Sequence, residues 1–127
     1  MLYLIVFLGA GLGGALRHGV NVGAARLLGL GFPFATLAVN VAGSFAMGLL
    51  AGYFAYRTGV SQHMRLFLTT GVLGGFTTFS AFSLDTAVLI ERHAYGQAAA
   101  YVLTSVIISI AAVFVGLALF RTGGHLP

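Results

Sequence analysis

The chain has 127 residues, 59% hydrophobic and only 6% charged, with a mean hydropathy of +1.03. A soluble domain carries about 25% charged residues, so six arginines, no lysine and two acids (Asp85 and Glu91) cannot build a water-facing surface. This excludes a soluble enzyme, a nucleic-acid binder and a disordered chain; the pI of 10.1 reflects four net charges on a nearly uncharged chain, not a phosphate-gripping patch.

A spanning helix takes roughly 20 residues, so the length reads as one all-helical membrane domain, 1–127, of four transmembrane helices. Without cysteine, disulfide scaffolds, thiol catalysis and thiolate metal sites drop out. The N-terminus lacks the positive region of a cleaved signal peptide and reads as the start of the first helix. That helix covers about 2–28, interrupted by Arg17, His18, Asn21 and Arg26. Gly29 to Pro33 then breaks the pattern, as Gly and Pro do. The second run covers about 33–56 and closes at Arg57. The third covers about 62–90 and ends at Glu91, Arg92 and His93. The fourth covers about 95–120 and stops at Arg121. Short connections place both termini on one side. Tyr3, Tyr53, Tyr56 and Tyr95 fall near helix ends, where an interfacial aromatic belt lies.

The third run departs from a plain helix. Between Gly71 and Ser83 it gathers Gly71, Gly74 and Gly75 with Thr77, Thr78, Ser80 and Ser83. Glycine costs about 1 kcal/mol per helical position, and hydroxyls compete for backbone groups. Irregular backbone in a bilayer persists only where it is buried in protein or lines a wet cavity. The segment is therefore expected to be a helix broken at mid-membrane, the alternative being a close-packed crossing of small residues. Glycine overall reaches 19 residues, about twice its usual share. Gly9/Gly13, Gly19/Gly23, Gly48/Gly52 and Gly71/Gly75 each stand four apart, the spacing of grooves that admit a neighbouring helix. These are packing devices.

Charge then points to the kind of ion. No acid occurs in the first 84 residues, so a cation-coupled exporter would lack the early carboxylate it needs. Arg17 lies well inside the first run, at depth or snorkelling to the interface; either way, the local field favours anions. Thr36, Asn40 and Ser44 recur every four residues on one face of the second helix, and Tyr101, Ser105 and Ser109 do so on the fourth. Phe79 and Phe82 stand three apart, interleaved with Ser80 and Ser83. Phenylalanine has a positive ring edge. Each stripe alone would suit interhelical hydrogen bonding; three stripes without an acid among them point to an anion path lined by donors.

These residues resemble the Fluc (CrcB) family of small fluoride channels. The resemblance spans nearly the whole chain: Gly14 to Arg17 in the first helix, Thr36 to Phe45 in the second and Gly74-Gly-Phe-Thr-Thr-Phe-Ser-Ala-Phe-Ser83 in the third. It implies an antiparallel, dual-topology homodimer in the bacterial inner membrane, with two passive, selective pores that export fluoride and relieve its toxicity. Asn40 would be a pore donor, and Phe79 and Phe82 an aromatic box meeting fluoride edge-on. Ser80, Ser83, Tyr101, Ser105 and Ser109 would mark a polar track, and Arg17 would stand at the cytoplasmic vestibule. The backbone carbonyls of Gly74 and Thr77, two from each subunit, would hold a structural sodium ion at the dimer centre. The chain departs from the family pattern at Ala81, usually threonine, and at Asp85, usually glutamate.

Two other classes compete. A small multidrug exporter shares the length and helix count but lacks its early carboxylate here; a non-transporting membrane subunit would show no ion flux. His18, His63, His93 and His125 are scattered without partners at ligand spacing, so no enzyme is expected. Arginine counting bears on orientation. The side of the termini receives Arg57, Arg65 and Arg121, and the other receives Arg26 and Arg92, with Arg17 if the first helix ends early. Orientation follows the Lys/Arg excess in short loops, so a difference of one or none predicts insertion both ways.

Overall fold

The computed structural model describes residues 1–56 and 59–123; Arg57, His125 and the side chain of Arg121 lie outside the described residues. Helix α1 runs Leu2–Leu28 and α2 runs Phe34–Tyr56. The third span consists of α3 (Gln62–Leu66), a π-helical segment (Phe67–Leu73), α4 (Gly74–Phe76) and α5 (Phe79–Glu91). Helix α6 runs Tyr95–Gly123.

Four stretches, Leu2–Leu28, Phe34–Ala55, Gln62–Glu91 and Tyr95–Leu119, are long and apolar enough to cross a membrane. At 1.5 Å per residue even α2, with 23 residues, extends about 35 Å, against a hydrocarbon core of about 30 Å. Leu4, Phe7, Leu103, Ile107 and Phe114 all turn outward. That apolar exterior is what lipid accepts and water does not.

Glycine decides how closely the backbones meet. A Cβ on Gly9 would come within 2.8 Å of the Phe67 carbonyl oxygen, and one on Gly13 would strike the Val72 carbonyl. Gly71 and Gly75 answer from the other side, against the backbones of Gly9 and Ala10. The two Gly pairs therefore seat α1 on the π-helical segment and α4. Between α2 and α6 the partners are Gly48, against Val113, and Gly116, against Phe45 and Leu49. Gly19 and Gly23, by contrast, face open space within the single chain.

The connections close compactly. Gly29 takes φ +78° at the end of α1 and donates to the Ala25 carbonyl. The turn from α5 to α6 uses His93 at φ 60°, with its Nδ1 3.0 Å from the Tyr95 hydroxyl. A small core of Leu89, Ala98 and Tyr101 lies just beyond it, with Phe32, Leu37 and Phe82 packed against it.

Candidate functional site

Between α4 and α5, Thr77 and Thr78 have extended backbones (φ −81°, ψ 157° and φ −153°, ψ 126°). Three side chains hold this stretch. Asn40 Nδ2 donates to the Thr78 carbonyl at 2.9 Å, and the Thr78 N–H donates back to Asn40 Oδ1 at 2.8 Å. Thr78 Oγ1 caps α5 by accepting from the Ala81 N–H at 3.2 Å. Arg17 Nε donates to the Gly75 carbonyl at 3.2 Å.

The consequence is a sorting of backbone carbonyls. In a continuous helix the Thr78 N–H would bond Gly74 and the Ala81 N–H would bond Thr77. Asn40 takes the first donor and the Thr78 hydroxyl takes the second. The carbonyls of Gly74 and Thr77 receive no hydrogen bond among the described residues, while those of Gly75 and Thr78 are each satisfied by a side chain. The Thr77 N–H and hydroxyl both turn back to Leu73. Two free carbonyls three residues apart suit a hard cation, which prefers oxygen ligands.

Beside the extended pair lies a groove of about 450 Å³, lined by Asn40, Ser44, Phe79, Phe82, Ser105 and Ser109, with Met47 and Val113 among its apolar residues. Its polar equipment is all donor-capable. Asn40 commits Oδ1 and one Nδ2 hydrogen to Thr78; an amide has a second Nδ2 hydrogen to give. The hydroxyls of Ser105 and Ser109 are buried without a hydrogen-bond partner among the described residues, and Ser105 is only 6% exposed. Orphaned buried hydroxyls are uncommon and ask for a polar occupant. The Phe79 and Phe82 rings stand 5.5 Å apart at 44°. Phe79 is 76% exposed, so a single chain leaves one wall open.

The other candidates occupy different places. Tyr101, fully buried at 0% exposure, donates to Asp85 Oδ2 at 3.1 Å and packs its ring on Phe82 at 5.2 Å. Its hydroxyl is directed at the carboxylate, and Asp85 belongs to a second cavity of about 370 Å³, lined also by Asn21, Ala81 and Arg92. Ser80 and Ser83 are outside the groove lining; Ser80, exposed on α5, has its Oγ 3.3 Å from Thr78 Oγ1. Thr36 is buried outside the groove, among the residues lining the second cavity. Thr78 is the functional residue the sequence did not single out. Its role arises from extended backbone, and the only signal for that was the hydroxyl density of the motif.

A family model described as CrcB-like protein, Camphor Resistance (CrcB), matches residues 4–117. The chain is 61% identical over 121 residues to a fluoride-specific ion channel FluC of Rhodopseudomonas palustris (strain BisB5), covering 95% of this chain and 98% of that one. It is 63% identical over 121 residues to the FluC of Methylobacterium sp. (strain 4-46), covering 95% and 97%. The FluC of Methylobacterium nodulans is similar at 62%.

Proposed function

The chain belongs to the CrcB family and is a fluoride channel of the membrane, and on that premise we propose that fluoride crosses by way of the groove between Asn40, Ser105, Ser109 and the paired phenylalanines. The observation that carries this reading is the pair of buried hydroxyls without a partner, Ser105 and Ser109. They share the groove with the spare amide hydrogen of Asn40. A small anion leaving water needs donors in place of its hydration shell, and a low-dielectric site strengthens each of them. The positive edges of Phe79 and Phe82 add attraction without adding a fixed charge. With no carboxylate lining the groove, nothing repels the ion. The family is a class of channels, not enzymes, and conduction is passive: export follows the fluoride gradient out of the cytoplasm and relieves its toxicity. A multidrug exporter is disfavoured by the family membership.

The finer parts of the reading follow from the same residues. The extended Thr77–Thr78 stretch serves as a mid-membrane break in the third span. The carbonyls of Gly74 and Thr77, left without donors, would together with those of a second copy hold a sodium ion. The ion would supply fixed positive charge at the dimer centre and tie the two subunits together. The terminal Nη groups of Arg17, without a hydrogen bond among the described residues, would draw fluoride to the cytoplasmic vestibule. Ser80, Ser83 and Tyr101 would extend the polar track beyond the groove.

The exposure of Phe79 and the open faces of Gly19 and Gly23 support a second copy as the missing wall. The near-even arginine count supports antiparallel pairing in a bacterial inner membrane. Adding three lysines to the C-terminal tail, or separately to the Arg92 turn, forces opposite orientations. Each variant alone should lose fluoride efflux, and co-expression should restore it. Full activity from either variant alone would overturn antiparallel pairing.

A further inference from the structure

Arg17 makes one hydrogen bond among the described residues, and it does not go to an acid. Its Nε donates to the carbonyl of Gly75, across 58 residues of sequence, within the short helix α4. Gly75 itself is pressed against α1, where a Cβ would strike the backbone of Ala10. The Gly75 carbonyl, one of two between those of Gly74 and Thr77, is thus tied down from the same helix that the α4 backbone leans on.

We infer that Arg17 is a positioning residue for the cation site: by holding the Gly75 carbonyl it fixes the α4 turn and keeps that carbonyl out of the ion's reach, so that the carbonyls of Gly74 and Thr77 are presented to sodium. This rests on the sodium reading above. The physical case is geometric. Helix α4 is the last turn of the continuous helical stretch 62–76, whose final carbonyls have no helical N–H to bond. Thr77 ties this turn back to Leu73, and two side chains from other helices hold it from outside, Asn40 at Thr78 and Arg17 at Gly75. Without Arg17, the Gly75 carbonyl loses its partner and competes with its neighbours for the ion. A cation site made of a few carbonyls depends on their being held in place before the ion arrives.

The side chains available to replace arginine separate position from charge. In glutamine the amide Nε2 is the fourth side-chain atom, as Nε is in arginine, so Arg17→Gln keeps a donor at the same distance along the stem and removes the charge. Arg17→Met keeps the stem and removes the donor. Arg17→Lys keeps the charge and moves the nitrogen one bond outward.

The experiment is thermal unfolding of the purified full-length protein in detergent, titrated with sodium chloride against N-methylglucamine chloride at constant ionic strength. The readout is the sodium concentration that gives half-maximal protection. For Arg17→Met that midpoint should rise at least tenfold, while Arg17→Gln stays within about twofold of the parent. Fluoride efflux, measured alongside, should fall in both. Should Arg17→Met not yield folded protein, Arg17→Lys decides, because it keeps the charge and displaces the donor: a midpoint raised at least tenfold supports positioning, and an unmoved midpoint overturns it. A merely structural role lowers the melting temperature at every sodium concentration and leaves the midpoint unmoved, which overturns the inference. A parent protein that sodium does not protect at all overturns the sodium reading itself, and this inference with it.

Discussion

Replacing Asn40 with aspartate alters two things at once, and the structure sets the size of each. The amide now bridges Thr78 through an accepted and a donated hydrogen bond, at 2.8 and 2.9 Å. Aspartate can still accept from the Thr78 N–H, but its second oxygen would face the Thr78 carbonyl, an acceptor against an acceptor. Losing that bond costs about 1 kcal/mol, and leaving the carbonyl unpaired costs about 1–3 kcal/mol. The larger effect is on the ion. Fluoride passing within about 4 Å of a carboxylate meets a repulsion of about 4 kcal/mol at an effective dielectric of about 20, or roughly a thousandfold in occupancy. Fluoride efflux from liposomes at pH 7.5, followed with a fluoride electrode, should fall to the leak of protein-free vesicles, while size-exclusion chromatography still reports the same assembled species as the parent. Undiminished efflux from assembled protein would remove Asn40 from the ion's path.

Three further variants probe separate parts of the site. Phe82→Ile keeps apolar bulk but removes a ring that meets Phe79 and Tyr101; stability should drop by about 1–3 kcal/mol, and efflux per assembled protein should fall at least tenfold, an unchanged efflux meaning that the ring only packs. The double change Ser105→Ala and Ser109→Ala removes two hydroxyls that have no partner among the described residues, so thermal stability should hold or rise while efflux falls; a clear loss of stability would show that protein groups satisfy them. Thr78→Val deletes the cap on the Ala81 N–H at nearly constant shape and should lower stability by about 1 kcal/mol, read as a lower melting temperature, with no change arguing that the cap contributes nothing.

The sequence was most informative where one residue type has one physical use. Apolar runs of this length can only be spans, and the four runs are four helical stretches long enough to cross. Gly9, Gly13, Gly71 and Gly75 could be recognised as contact points because nothing larger fits where backbones touch. The same spacing at Gly19 and Gly23 meets open space in the chain, since spacing states a capacity for contact and not the presence of a neighbour. Gly48 finds its counterpart in Gly116 on another helix, a pairing that no local pattern contains.

Residues whose function depends on a distant partner were legible only as chemistry. Asn40 could be read as a donor, but its grip on both backbone groups of Thr78 joins positions 38 apart. Arg17 offered a choice between depth and interface; its bond to the Gly75 carbonyl was not among the options that sequence spacing suggests. Tyr101 shares a helical face with Ser105 and Ser109, yet its longer side chain carries the hydroxyl to Asp85, outside the groove that the two serines line. Side-chain length, which a stripe of polar letters ignores, separates them.

Fluoride and chloride efflux measured side by side is the decisive comparison for a selective, passive fluoride path. Liposomes holding the purified protein, loaded with both anions and opened to potassium by valinomycin, should release fluoride rapidly and retain chloride. No fluoride release above that of protein-free liposomes, or chloride release at the same rate as fluoride, would overturn it.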